Sequence, residues 1–175
     1  MNKKLGLVGC GYWGPNIVRN IQKTQNIDLE FVVDQDEAVI NKLPPVSFYQ
    51  DLDSALVRHG NVDGVIIATP ISTHFTIAKQ ILEAGKSVLI QKPMAMSVED
   101  CEELEEIAKS KGLTLMIAHT FLFTGAVRKL KELADSGQIG NLKHFDSTRI
   151  NLGLFQRDSN VVWDLAPHDF SILHY

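Results

Sequence analysis

The sequence predicts an α/β protein built on a doubly wound parallel sheet, and three observations favour that class. Short apolar runs alternate with longer amphipathic runs over residues 1–119, as strands and helices do in such folds. The short runs are almost continuously apolar, which is typical of strands that are covered on both faces. The pattern changes near residue 120, where a second part of the chain is expected to begin.

The first three elements are predicted to form a strand–helix–strand unit. Lys4–Gly9 is an apolar strand, Gly14–Thr24 an amphipathic helix and Leu29–Asp34 a second strand. Pro15 suits the first turn of that helix, because the N–H that proline lacks would have no partner there.

The alternation continues through six more elements. Helices are predicted at Asp51–Gly60, Ser72–Gly85 and Ser97–Gly112, and strands at Asp63–Thr69, Lys86–Lys92 and Leu113–His119. The second of these helices aligns its apolar residues on one face, namely Phe75, Ala78, Ile81 and Leu82. The third begins with a capping box at Ser97 and, like the other two, ends on a glycine.

The segment after residue 120 has a different character. A helix is predicted at Gly125–Gly137, followed by a longer, more polar and alternating strand at Leu142–Leu152. Such alternation is typical of a sheet with one face in water. We therefore expect a junction at His119–Thr124, which divides the chain into residues 1–120 and an α+β part at residues 121–175.

Composition narrows the partners and the compartment. The chain has 17 basic and 21 acidic residues and a net charge of −4, which disfavours nucleic acid as a main partner. Cys10 and Cys101 are its two cysteines, so a cytoplasmic location without disulfides is expected. No apolar stretch approaches the roughly 18 residues of a membrane helix, and no secretory signal precedes the first strand.

The stretch GCGYWG contains a G-x-G-x-x-G pattern between the first strand and the first helix. In that context Gly9 allows a tight turn, Gly11 lets the main chain approach a pyrophosphate, and Gly14 allows helix and strand to pack closely. Asp34 ends the second strand, where it would accept the adenosine ribose hydroxyls and repel a 2′-phosphate. The pattern predicts a Rossmann fold that binds NAD rather than NADP; the alternative is that the glycines only break the chain.

Other chemistry-bearing segments follow later strands. The stretches ATPISTH, QKP and AHTF each lie at the carboxyl end of a predicted strand, where ligands bind in parallel sheets. Further on, WDLAPHD places Asp164 and His168 four residues apart, on one helical face if a helix starts near Asp164, the start that Pro167 requires. A carboxylate beside an imidazole fixes its tautomer and raises its basicity, as a general base needs.

The glycine loop, QKP and DLAPHD together resemble the glucose-fructose oxidoreductase, inositol dehydrogenase and MocA family. The resemblance spans essentially the whole chain. Within that family, GCGYWGPN, AHTFLF and RDSNVVWDLAPHDFSIL look most like the branch that acts on nucleotide sugars, such as UDP-N-acetylglucosaminuronate 3-dehydrogenases. The resemblance implies oxidation of a sugar hydroxyl by hydride transfer to the nicotinamide.

The resemblance also implies roles for particular residues. Lys92 would bind the reacting oxygen, His168 would take the hydroxyl proton and Asp164 would orient His168. A larger set is implied to contact the cofactor, namely Tyr12, Trp13, Thr69, Pro70, His74 and Gln91. Within this set, Tyr12 and Trp13 either pack or cover the diphosphate. The residues implied to contact the substrate are Lys92, Arg157, Asn160 and His168. The alternatives are a solvated Lys92, a core His168 paired with Asp164, and an Arg157 that only forms an ion pair. No spacing of ligands calls for a metal.

The chain departs from the family in two respects. Gln91 stands where the family has a glutamate, which removes a negative charge beside Lys92. Family members are also about twice as long, so the chain is expected to be truncated or to be completed by something else. We expect self-association through residues 142–175 as a homo-oligomer, or disorder of that end.

Three functions therefore remain open. The chain is a sugar dehydrogenase, a non-catalytic NAD-binding module, or a hydrolase that uses bound NAD transiently. The first is the preferred hypothesis, and reduction of NAD by nucleotide sugars would distinguish it from the other two.

Overall fold

The computed structural model describes residues 1–150 and 159–175, which form two compact units. The first unit comprises Met1–Ile117 and the second Ala118–Tyr175.

The first unit is built on a six-stranded, entirely parallel sheet. The strands are β1 Lys3–Val8, β2 Ile27–Val33, β3 Ser47–Tyr49, β4 Gly64–Ile67, β5 Ser87–Ile90 and β6 Leu115–Ile117. Their order is β3-β2-β1-β4-β5-β6, with Leu7 paired with Val32 on one side and Ile66 on the other. This order confirms the predicted Rossmann fold and places its switch point between β1 and β4.

Six α-helices occur in the described residues: α1 Gly14–Lys23, α2 Leu52–Arg58, α3 His74–Glu83, α4 Val98–Ser110, α5 Gly125–Asp135 and α6 Val161–His174. The first four belong to the sheet unit and lie near their predicted positions. Local chemistry sets their starts: the Asp51 side chain accepts the Ser54 N–H at 2.8 Å, and the Ser97 side chain accepts the Asp100 N–H at 3.1 Å. Each removes an unpaired N–H from a first turn.

Side chains of the sheet alternate between two apolar layers. One face carries residues such as Phe31 and Ile67, which pack with Ala78 and Leu104 of the helices α3 and α4. The opposite face carries residues such as Leu7, which pack with Val18 of α1. Helices therefore cover both faces, as the apolar strands predicted.

Three short elements escaped the sequence prediction. The strand β3 has three residues, and 3-10 helices occupy Glu37–Lys42 and Thr120–Phe123. All three are too short for a hydrophobic period to be recognised.

Two predictions for the second unit are wrong. Residues 142–150 are not a strand, and the rest of the predicted Leu142–Leu152 strand lies outside the described residues. Alternating residues form a strand only when another strand supplies hydrogen bonds, and none pairs with this segment among the described residues.

The last helix also differs from its prediction. It begins at Val161 rather than near Asp164, so Pro167 lies inside it. Asn160 accounts for the earlier start, because its Oδ1 accepts the N–H groups of Val162 and Trp163 at 3.0 and 3.1 Å. Pro167 removes one N–H from a helix whose other bonds persist.

The described helices of the chain are short or polar compared with a membrane-spanning segment. In the part of the chain that the structure describes, no helix is long and apolar enough to cross a bilayer.

Candidate functional site

The glycine loop between β1 and α1 forms a cradle in the main chain. Gly9 has a φ of +85°, and a Cβ there would lie 2.7 Å from the Thr69 N atom. A Cβ on Gly14 would lie 2.7 Å from Cys10 Sγ. A Cβ on Gly11, in contrast, would meet nothing within 4 Å. The first and third glycines thus close the loop against the protein, and the middle one leaves its outer side open to a ligand.

The amino end of α1 suits an anion. Trp13 precedes the helix and contributes no capping side chain, and the first turn contains no acidic residue. The positive end of the helix dipole therefore lies at the cradle without a neutralising carboxylate. Pro15 has no N–H, and the N–H groups of Asn16 and Ile17 donate to the Trp13 carbonyl oxygen at 3.0 and 3.2 Å, so Gly14 is the first-turn residue whose N–H can serve an anion. Together with the open side of Gly11, this positive helix end fits a pyrophosphate.

Asp34 lies directly beside this cradle. Its Oδ2 accepts the Cys10 N–H at 2.6 Å, and its Oδ1 accepts the Asp36 N–H at 3.0 Å. These bonds fix the carboxylate at the carboxyl end of β2, while each oxygen keeps a lone pair for a further donor. The geometry suits acceptance of hydrogen bonds from ribose hydroxyls.

Cys10 lies in the same loop, and its thiol is unreactive. Burial, with a smaller contribution from the Asp34 charge, raises the pKa of its thiol to about 11. The thiol is therefore protonated at neutral pH and is a poor nucleophile or metal ligand.

Two aromatic side chains project from the loop. Tyr12 is 70% exposed and Trp13 is 55% exposed, and their rings meet edge to face at 5.7 Å. Such exposure shows that neither ring is packed in the core. Their expected role as a cover for the diphosphate stays a prediction.

The segment after β4 is held by its own hydrogen bonds. Thr73 Oγ1 lies 2.7 Å from both Thr69 Oγ1 and the Pro70 carbonyl oxygen. His74 is 1% exposed, and its two ring nitrogens lie within 2.9 Å of the carbonyl oxygens of Thr69 and Pro93. The ring therefore lies behind the loop surface that a ligand would meet.

Lys92 and Gln91 follow β5 on the same edge of the sheet. Both are half-buried, and the Gln91 N–H donates to the Ile67 carbonyl at 2.9 Å. The peptide between Lys92 and Pro93 is cis. The carboxyl ends of β1, β2, β4 and β5 thus bring the glycine loop, Asp34, Thr69 and Lys92 to one edge, where parallel sheets bind ligands.

The remaining site candidates lie in the second unit. Asp164 and His168 are half-buried and lie four residues apart in α6, so they share a helical face. Asn160 uses its Oδ1 to cap that helix, which leaves its amide N–H groups for other partners. Arg157 lies outside the described residues.

Sequence reasoning missed a cluster around His168. The Phe121 ring meets the His168 ring at 4.7 Å, and the Arg149 guanidinium lies over Phe121 at 4.8 Å. Asp169 accepts a 2.7 Å bond from Arg149 Nε and another from Ser147 Oγ. The ionised Asp169 is stabilised mainly by Arg149, which holds its pKa below the ordinary value. The sequence feature that could have predicted this cluster is the position of Asp169 directly after His168.

His119 lies two residues after the end of β6. Burial lowers its pKa, which favours the neutral ring at physiological pH. Its Nδ1 is buried and has no hydrogen-bond partner among residues 1–150 and 159–175. The same ranges contain no group of three His, Cys, Asp or Glu side chains that could hold a metal.

Comparison with known proteins identifies a family. Residues 3–119 match the model of the GFO_IDH_MocA family, described as an oxidoreductase family with an NAD-binding Rossmann fold. An uncharacterised oxidoreductase of Streptococcus pneumoniae serotype 4 is 33% identical over 162 residues, which cover 91% of this chain and 43% of that protein. The chain spans about half the length of the curated relatives it matches.

Solved structures agree with this match. GenD2 from gentamicin A biosynthesis, determined in complex with NAD, is 30% identical with a TM-score of 0.74, covering 78% of this chain and 40% of its own. The scyllo-inositol dehydrogenase of Lactobacillus casei, with bound NAD(H) and scyllo-inositol, is 26% identical with a TM-score of 0.73, covering 80% and 43%. The expected NAD-binding fold is thereby confirmed, whereas the preference over NADP stays a prediction.

Proposed function

Because this chain belongs to the Gfo/Idh/MocA oxidoreductases, we propose that it binds NAD and that the whole protein oxidises a hydroxyl group of a sugar or nucleotide sugar. The observation that carries the proposal is the cradle at Gly9, Gly11 and Gly14, which is closed against the protein and open where a pyrophosphate would lie. A loop that only reversed the chain direction would not require a residue without a side chain at position 11.

The residues of the first unit bind and orient the cofactor in this proposal. The positive end of the α1 dipole would face the pyrophosphate, and Asp34 would accept hydrogen bonds from the ribose hydroxyls. The fixed negative charge of Asp34 repels a 2′-phosphate, so NAD is bound in preference to NADP. Bound NAD supplies the hydride acceptor.

Proton handling is assigned to the residues that the family resemblance implies. The Lys92 amine holds the reacting oxygen of the substrate by a hydrogen bond. The His168 imidazole takes the hydroxyl proton, and the Asp164 carboxylate orients the imidazole. These three residues provide placement and base catalysis, which are the parts of the reaction that a nicotinamide does not supply.

The nucleotide-sugar class is proposed from sequence. The stretch RDSNVVWDLAPHDFSIL resembles the nucleotide-sugar branch of the family, and Arg157 and Asn160 are its candidate contacts with a substrate carboxylate or phosphate. The scyllo-inositol seen in one similar structure supports polyhydroxylated ring compounds as the broader class.

The test is reduction of NAD at 340 nm by a panel of UDP-sugars, UDP-uronates and inositols. Because each positioned acid–base group contributes about 10²–10⁴-fold to the rate, Lys92→Ala and His168→Ala should each lower turnover by that order. Lys109→Ala and His174→Ala are matched controls on exposed helix positions and should stay within about twofold.

Two results would contradict the proposal. Turnover that survives in both Lys92→Ala and His168→Ala would remove these residues from the mechanism. NAD binding without reduction by any member of the panel would favour the non-catalytic NAD-binding module.

A further inference from the structure

His74 is set apart by its burial. It is 1% exposed and is the one polar or charged side chain among the described residues that is fully enclosed. It stands at the first position of α3, directly after the loop that follows β4. A polar ring in such a place requires compensation for the hydration that it loses.

That compensation comes from two main-chain carbonyl groups. Nδ1 lies 2.8 Å from the Pro93 oxygen and Nε2 lies 2.9 Å from the Thr69 oxygen. A carbonyl oxygen can only accept, so each contact needs an N–H on the ring. An imidazolium donates to both oxygens and so joins the two loops by hydrogen bonds, whereas a neutral imidazole donates to one oxygen and contacts the other loop without a hydrogen bond.

The two carbonyls belong to different loops. Thr69 follows β4 and Pro93 follows β5, and neither carbonyl is bonded within the sheet ladder between those strands. The Thr69 main chain also lies against the glycine loop, since a Cβ on Gly9 would come within 2.7 Å of the Thr69 N atom. A continuous series of contacts therefore runs from Gly9 through Thr69 and His74 to Pro93, the neighbour of Lys92.

We propose that His74 is a positioning residue that ties the Lys92 segment to the dinucleotide loop. The inference rests on the proposed function, because it assumes that Lys92 must keep a fixed distance from a cofactor held at Gly9–Gly14. In this role the His74 ring contacts neither the cofactor nor the substrate. It holds the two loops at one separation, and a shift of about 1 Å in such geometry costs roughly 10²-fold in rate.

A ring that only filled space would behave differently. His74→Leu supplies similar apolar volume and removes both ring nitrogens, whereas His74→Gln keeps an amide N–H₂ group that can donate. If His74 only fills space, leucine is tolerated and glutamine is not. If His74 ties the loops, glutamine is the better replacement.

The test is hydrogen–deuterium exchange by mass spectrometry on the chain without NAD. In His74→Leu, the amides of residues 68–73 and 91–95 should exchange about tenfold faster, because loss of a buried hydrogen bond shifts local opening by about that factor. Peptides from α1 and α4 should be unchanged, and His74→Gln should restore part of the protection. His59→Leu, which removes a half-buried ring bonded to Tyr49, is the matched control and should leave both loops protected.

Unchanged exchange in residues 91–95 of His74→Leu overturns the inference. So does faster exchange spread evenly over the whole sheet unit, because that shows a general loss of packing. If His74→Leu does not fold, the comparison of His74→Gln with the native chain decides by the same two segments.

Titration with NAD separates this inference from the proposed function. A native chain that does not bind NAD contradicts the proposed function, while the exchange data still decide whether His74 ties the loops. If the native chain binds NAD, the control His59→Leu should keep NAD affinity within about threefold, since the pyrophosphate contacts are proposed at the glycine loop. Where turnover is detected, His74→Leu should lower kcat at least tenfold with little change in the KM for NAD.

Discussion

Gly9, Gly11 and Gly14 share one loop but are required for different physical reasons. Gly9 combines a left-handed φ of +85° with close contact to the chain at Thr69. Gly14 has Cys10 Sγ where a side chain would begin. Gly11 has neither constraint, so in the proposed function its lack of a side chain serves the ligand rather than the fold.

This difference predicts opposite effects for two substitutions. Gly11→Val should lower NAD affinity by more than tenfold, because its branches enter the space proposed for the pyrophosphate, and should change stability by only about 0.5 kcal/mol. Gly9→Ala should destabilise the protein by about 1–3 kcal/mol through backbone strain and overlap with Thr69. Calorimetric titration with NAD and thermal melting measure the two effects.

The opposite ranking would contradict the assignment. If Gly11→Val unfolded the chain while binding was otherwise normal, the open side of the cradle would be structural. Gly11→Ala, with a smaller side chain, should give an intermediate affinity.

At the scale of the element, α6 is held by side chains that lie outside its hydrophobic pattern. Asn160 caps its start, and Asp169 is bonded to Arg149 and Ser147. The four-residue spacing of Asp164 and His168 could be predicted because it is local to one helix. The Arg149 partnership could not, since 20 residues separate the two side chains and their meeting depends on how the chain packs.

The Arg149–Asp169 pair predicts a dependence on pH. The native pKa of Asp169 lies below its unfolded value, so its stabilising effect is complete above about pH 4 and is lost as the pH falls through the native pKa. Arg149→Met should raise the Asp169 pKa toward its ordinary value and lower stability at pH 7 by about 1 kcal/mol. Carbon NMR of the Asp169 carboxyl group follows the pKa.

An exposed ion pair provides the control. Lys131→Met removes a pair with Asp135 at 3.0 Å on α5 and should leave the Asp169 titration unchanged. An Asp169 pKa that did not move in Arg149→Met would show that Ser147 and the solvent suffice to stabilise the carboxylate.

At the scale of the whole molecule, the parallel sheet and most of its helices could be predicted from apolar periodicity and glycine spacing. These signals succeed because strands covered on both faces must be apolar along their length. The second unit shows where the approach fails. Alternation at residues 142–150 indicated a strand, yet a strand exists only with a partner, and partnership is a property of the assembled chain.

Cofactor binding should be visible in the stability of the whole chain. NAD at 100 times its Kd should stabilise the native state by about 2.7 kcal/mol, which raises Tm by about 5–10 °C for a chain of this size. NADP at the same concentration should raise Tm less, because Asp34 repels the 2′-phosphate. Differential scanning fluorimetry with both dinucleotides measures the difference.

Asp34→Asn tests the cause of that difference. The amide keeps an oxygen for the Cys10 N–H but carries no charge, so the Tm shifts with NAD and NADP should converge. An undiminished difference would place the discrimination elsewhere than at Asp34.

Every contact named for the glycine cradle joins residues of the first unit, from Gly9 and Asp34 to Thr69. Under the proposed function, substitutions in residues 118–175 can therefore accumulate without disturbing any of these cradle contacts, and protein engineers could vary those residues while keeping the dinucleotide-binding unit unchanged.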